Sequence, residues 1–214
     1  MYQLYFSPST ASMAPHILLE ELQAEYELVL TDTATASHKS ADYLKLNPNG
    51  LIPTLVDGEL VLFETAAICL HLCDKHADKA LMPAPGSAQR GEAYKWLFWL
   101  SATLQSALIV YFYPERWVEG EQNAADVKAH AQAKVLSLLE QMEQQVASHC
   151  GHWFLGDEFS LLDIYAMMLC RWTRNFSGKK ARDFPFLALW LQRMLARPAV
   201  QKVYAKENIQ PPFV

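Results

Sequence analysis

Apolar spacing divides the chain into two textures. Residues 1–80 alternate short strand-like runs with helical ones, whereas residues 88–206 keep a helical pattern almost throughout. Between them, Met82-Pro83-Ala84-Pro85-Gly86-Ser87 is the clearest cluster of chain breakers. It predicts two domains, 1–81 and 88–214. In the first, Gln3–Phe6 reads as a strand, Ser7–Ser12 as a polar turn and Ala14–Gln23 as a helix. Pro15 is tolerable there because a first-turn N–H has no intrahelical partner to lose. Tyr26–Leu30 reads as a second strand, and residues 31–50 are mostly polar with a short helix around Ala41–Leu46. Thr54–Val56 and Leu60–Phe63 flank Asp57-Gly58, a strong hairpin signal, and Thr65–His76 reads as a helix. One crossover helix implies a parallel strand pair and the hairpin adds antiparallel strands, so the four-stranded sheet is mixed.

The second texture predicts helices near 88–115, 124–149, 161–175, 185–196 and 198–206. Ser160-Leu161-Leu162-Asp163 precedes an apolar run and matches a capping box, with Asp163 as the acid that reaches back. The overall expectation is an α/β domain followed by an all-α one.

Composition narrows the function classes. Hydrophobic residues make up 51% and charged residues 19% of the 214 residues, which is globular rather than disordered. A net charge of −5 argues against a nucleic-acid partner, which requires a basic face. The opening MYQLYFSP lacks the basic start and apolar core of a secretory signal. No stretch reaches the roughly 18 apolar residues of a membrane span. Cys69, Cys73, Cys150 and Cys170 form no Cys-x-x-Cys pair, so they read as small packing residues and predict neither a metal site nor a dithiol redox site. The expected compartment is the cytosol.

Two local patterns carry candidate chemistry. Pro53 stands at a strand start, either as a plain edge proline or as a cis-proline that turns the backbone N–H and C=O of Ile52 outward to a peptide-like ligand. Glu64-Thr65 stands at a strand-to-helix junction, where Thr65 is a good N-cap. The same helix end offers free N–H groups to a carboxylate, and Glu64 offers a partner to an ammonium. Together they fit the head group of an α-amino acid.

Three strings, in order, resemble the cytosolic glutathione transferases over essentially the whole chain. They are Asn47-Pro48-x-Gly50-x-Ile52-Pro53-x-Leu55, then Glu64-Thr65-x-Ala67-Ile68, then Phe154-Leu155-Gly156-Asp157-x-Phe159-Ser160-x-x-Asp163-Ile164. The start, Leu4-Tyr5-Phe6-Ser7-Pro8 with Ser12-x-Ala14-Pro15-His16, looks most like the bacterial beta-class branch. The resemblance implies a thioredoxin-like first domain that binds glutathione as co-substrate. It puts the γ-glutamyl head on Glu64 and Thr65, the cysteinyl backbone on Ile52 in the Leu51–Pro53 segment, and the glycine end on Lys39 or His38. It also implies a homodimer.

The catalytic position departs from the branch. Ala11 stands where beta-class members usually carry a cysteine, and Gln105 where many carry a histidine. The remaining hydroxyls are Thr10, in register with the catalytic serine of theta- and delta-type relatives, and Ser12, which is expected to cap the first helix. One hydroxyl plus the helix end can suffice, without a general base. Lowering a thiol of pKa about 8.5 by two units takes about 2.7 kcal/mol. A hydrogen bond to a charged group supplies about 1.5–3 kcal/mol, and a helix N-terminus about 0.3–1. Leu104, Gln105, Leu108, Tyr111, Phe112, Trp117, Trp172 and Phe176 are candidates for the electrophile pocket, with Arg171 and Arg174 nearby for an anionic group. The leading expectation is conjugation of glutathione to a small hydrophobic electrophile. Peroxide reduction or isomerisation at the same site, a non-enzymatic binding protein and a thiol–disulfide reductase are the alternatives.

Overall fold

A computed structural model of the protein describes residues 1–149 and 151–214; Cys150 lies outside the described residues. The chain forms two compact units, Met1–Met82 with Ala196–Gln210, and Pro83–Leu195 with Pro211–Val214.

In the first unit the elements run β1 (Tyr2–Phe6), α1 (Met13–Leu22), β2 (Tyr26–Leu30), α2 (Ala41–Leu46), β3 (Thr54–Asp57), β4 (Leu60–Phe63) and α3 (Thr65–Lys75). The sheet order is β2-β1-β3-β4, with β1 parallel to β2 and antiparallel to β3, and β3 antiparallel to β4. The mixed sheet expected from the hairpin and the crossover helix is therefore present. Asp57 pairs with Leu60 across a two-residue turn in which Gly58 takes φ 62°, a conformation that favours glycine.

The first unit also takes the last helix, α9 (Pro198–Lys206), which differs from the boundary expected at 88–214. The reason is visible in α1, where Met13 through Leu19 are all buried. One sheet cannot cover a helix on every side; α3 and α9 both pack against it. α9 contributes the buried stripe Val200, Val203 and Tyr204. Arg197 adds a two-pronged pair to Glu21, at 2.6 and 2.8 Å. Lys202 and Lys206 reach Glu20 at 2.5 and 2.7 Å.

The second unit holds α4 (Ala88–Phe98), α5 (Gln105–Phe112), α6 (Glu121–Ala147), α7 (Leu161–Trp172) and α8 (Pro185–Leu195). The single helix expected over 88–115 is broken in two ways. A π-helical stretch, Trp99–Leu104, separates α4 from α5. The helix then ends at Phe112, because Pro114 disfavours helical backbone at Tyr113, which sits at φ −131° and ψ 52°. Every residue of α7 is buried. Its N-terminus carries the expected capping box: Ser160 Oγ accepts from Leu162 N at 3.2 Å, and Asp163 Oδ2 accepts from Ser160 N at 2.9 Å. Asp163 Oδ1 also accepts from Phe154 N and Trp190 Nε1, each at 2.8 Å. Burial pushes the Asp163 carboxyl up to about 6 against the pull of these donors. Among the described residues, no helix is long and apolar enough to cross a membrane.

Candidate functional site

Sheet register brings three loops of the first unit to one edge. Thr54 pairs with Tyr5 on β1 and with Phe63 on β4. The turn after β1, the segment before β3 and the corner after β4 therefore leave the sheet side by side. They carry Thr10 and Ser12, Ile52 and Pro53, and Glu64 and Thr65.

The Ile52–Pro53 peptide is cis, and Ile52 is half-buried with its backbone N–H and C=O unpartnered among the described residues. The segment is held just upstream. The Leu51 carbonyl accepts from Tyr43 Oη at 2.6 Å and from Asn47 Nδ2 at 2.8 Å, while the Leu51 side chain is 54% exposed. Burial raises the Tyr43 phenol, which keeps its proton for that bond. Gly50 takes φ 56°, and a Cβ there would come within 2.9 Å of Lys39 Cδ. Lys39 thus lies over Gly50, with Nζ donating to Asn49 O at 3.3 Å. His38, the residue before it, is half-buried.

At the β4–α3 corner, Glu64 adopts φ 71° and ψ 111°. A non-glycine residue in such a conformation costs about 1–3 kcal/mol. Its carboxylate is exposed and has no hydrogen bond or ion pair among the described residues. Thr65 does not serve as the N-cap: it is the first helical residue, and Glu64 holds the cap position without a side-chain bond. The first backbone bond of α3 is Ile68 N to Glu64 O at 3.0 Å, so the N–H groups of Thr65, Ala66 and Ala67 are open.

The turn after β1 is the opposite case. Ser12 is fully buried and does not cap α1 with its side chain, contrary to expectation. Its hydroxyl instead donates to Ser7 O at 2.9 Å and accepts from Ser7 N at 3.3 Å. Thr10 Oγ1 donates to the same carbonyl at 2.7 Å and lies 3.0 Å from Ser12 Oγ. Thr10 is half-buried, so it is the hydroxyl a ligand can reach. Both hydroxyls thus converge on one acceptor, and Ser12 can keep Ser7 O satisfied if Thr10 turns away. Behind the turn, Glu207 accepts from Ser9 N at 2.9 Å and pairs with His16 Nδ1 at 2.7 Å.

In the second unit, Gln105 Oε1 accepts from Tyr165 Oη at 2.6 Å, which leaves the amide nitrogen for another partner. Leu104 and Leu108 are fully buried core residues with no surface to offer. Tyr111 and Trp172 are 8% exposed and Phe112 is 42% exposed. Tyr111 meets Phe176 in a tilted arrangement with ring centroids 4.2 Å apart, and Phe112 meets Trp172 edge-on at 6.2 Å. Trp117 is 62% exposed. Arg171 is buried and donates to the carbonyls of Pro212 and Phe213, so the chain's own tail takes the group considered for an anion. Arg174 donates to Arg171 O at 3.1 Å.

Tyr43, Ser7, His16 and Glu207 were missed by sequence reasoning. Tyr43 and Glu207 act across 8 and 198 residues respectively, and nothing local marks them. Asn47 and Gly50 were within the motif, but their holding roles appear only in three dimensions.

Thioredoxin-like topology, the open corner at Glu64 and the helical second unit define a class, and the comparisons agree with it. Residues 2–74 match the glutathione S-transferase N-terminal domain family and residues 73–198 the C-terminal domain family. The chain belongs to the glutathione S-transferase family. It is 34% identical over 226 residues to glutathione S-transferase 3 of Zea mays, covering 99% of this chain and 96% of that one. It is also 34% identical to GstB of Escherichia coli strain K12, over 87% of this chain and 89% of that one. A glutathione transferase homolog from Sulfitobacter, solved with bound glutathione, superposes with a TM-score of 0.87 at 28% identity, covering 96% of this chain and 98% of that one. A sphingomonad glutathione S-transferase complexed with glutathione superposes at 0.84, also 28% identical, covering 97% of this chain and all of that one.

Proposed function

We propose that this protein binds glutathione and conjugates its thiolate to small hydrophobic electrophiles. One observation carries the reading: the sheet edge leaves the Ile52 amide and carbonyl, the Glu64 carboxylate and the first-turn amides of α3 open together. These are the complements of a peptide backbone, an ammonium and a carboxylate. The γ-glutamyl head takes Glu64 and Thr65, the cysteinyl backbone pairs with Ile52 beside Leu51 and Pro53, and the glycine carboxylate meets Lys39. The relatives solved with glutathione support the same ligand.

The thiol then lies against the turn after β1. The thiol releases its proton to solvent, and Thr10 swings its hydroxyl hydrogen bond from Ser7 O to the resulting thiolate, while Ser12 keeps Ser7 O satisfied. The thiolate attacks the electrophilic centre: a C–S bond forms, and the leaving group departs with its electron pair or, in an addition, a proton is taken up. Gln105, Tyr111, Phe112 and Trp172 are the side chains proposed to meet the electrophile. Leu108 is proposed only to back them, given its burial. The beta-class branch without its cysteine, a homodimer and a cytosolic setting complete the reading.

A second reading has its own support. Both hydroxyls already have an acceptor in Ser7 O, as a binding protein without thiol activation would leave them. Titrating glutathione while following thiolate absorbance across pH separates the two. Saturable binding with a thiol pKa well below about 8.5, lost in Thr10→Ala and weakened in Ser12→Ala, supports the transferase. Binding with an unshifted thiol favours the binding protein.

A further inference from the structure

We propose that Glu207 is a positioning residue for the thiol-activating turn: by holding the Ser9 amide from behind, it sets the orientation in which Thr10 presents its hydroxyl to the glutathione sulfur. The inference rests on the function proposed above. It concerns a residue beyond the segments matched by the two family models, 2–74 and 73–198.

Three observations converge. First, Glu207 is 4% exposed and both carboxylate oxygens are engaged, Oε2 by Ser9 N at 2.9 Å and Oε1 by His16 Nδ1 at 2.7 Å. Burying a carboxylate is costly unless its partners are fixed, so an apolar residue would be the simpler way to pack this position. Second, the amide it holds belongs to a strained residue. Ser9 sits at φ 63°, where a side chain is disfavoured, and it directly precedes Thr10. Releasing the amide lets Ser9 relax to negative φ, and the Thr10 hydroxyl turns with it. Third, the carboxylate is delivered rigidly. α9 ends in a Schellman turn: Ile209 N bonds Tyr204 O at 2.8 Å, Asn208 N bonds Ala205 O at 3.2 Å, and Asn208 takes φ 51°. That turn closes the helix with backbone alone, so the Glu207 side chain is free for the contact to Ser9. On the other side, His16 is fixed by Tyr26, whose oxygen lies 3.2 Å from Nε2.

The test is Glu207→Leu, which keeps the bulk but removes the acceptors that hold Ser9 N and meet His16 Nδ1. We expect glutathione affinity to stay within about twofold, because the head-group corner is untouched. The bound thiol pKa rises by about one unit and kcat below that pKa falls about tenfold. Glu207→Asp recovers part of both, and it replaces the Leu variant should that fail to fold. A lower melting temperature with unchanged thiol pKa and kcat would overturn the proposal and leave Glu207 a packing residue. If the wild type itself binds glutathione without lowering its thiol pKa, the function proposed above fails first and this inference with it.

Discussion

Helices α3 and α7 both begin right after a sharp corner, and both present first-turn amides, yet they treat them in opposite ways. At α7 the chain supplies its own anion: Asp163 and Ser160 close the box, and Asp163 also holds Phe154 and Trp190. At α3 the cap position holds a strained Glu64 whose carboxylate makes no cap bond, and the amides of Thr65 to Ala67 stay open. A protein selected only for stability would cap both. The difference teaches that α7 starts a core, and it fits the binding site proposed at α3.

Breaking α7 gives the largest effect. Asp163→Ala orphans three buried donors at about 1–3 kcal/mol each, for a loss of at least about 3 kcal/mol. The melting temperature falls by about 6–12 °C, while glutathione affinity of the folded protein holds. Acid titration probes a third kind of carboxylate. Burial raises Glu20, but hydrogen bonds from Lys202, Lys206 and Tyr26 outweigh it and hold the group down to about 2. A lowered folded pKa contributes above the unfolded value of 4.5 and fades as pH falls toward 2. Glu20→Gln therefore flattens acid unfolding in that window, by up to about 3 kcal/mol, and leaves neutral-pH kinetics alone. At α3, Glu64→Ala removes a charged partner worth about 1.5–3 kcal/mol, raising the glutathione Kd about 10–150-fold with kcat retained. A fall in kcat at unchanged Kd would erase the distinction between a binding corner and an activating turn. Smallest is Ser160→Ala, which costs about 1 kcal/mol of unfolding free energy and nothing in affinity.

Much of this was legible in one dimension. The limits of β2, α2, β4 and α9 follow from apolar spacing and from the turn residues around them. The capping box at Ser160 was readable because both partners lie within one helical turn. Errors arose where the contact actually made differed from the one the residue type and spacing favour. Ser12 looked like a cap, but the Ser7 backbone captured its hydroxyl. Thr65 looked like a cap, but the strained Glu64 displaced it by one position. Leu104 and Leu108 looked like pocket candidates because an aromatic and aliphatic stripe has the same spacing whether it faces a cavity or a core.

By itself the sequence determined most of the elements, their order and the chemistry available at Ile52, Glu64 and Thr10, since periodicity, capping and turn preference act within a few residues; the break of the 88–115 helix was not among them. Tertiary structure alone decided that α9 packs in the first unit, that Tyr43 and Asn47 aim the Leu51 carbonyl, and that Glu207 reaches Ser9 across 198 residues. Those choices depend on which buried surfaces and hydrogen-bond partners meet once the chain has closed, and no local pattern encodes that meeting.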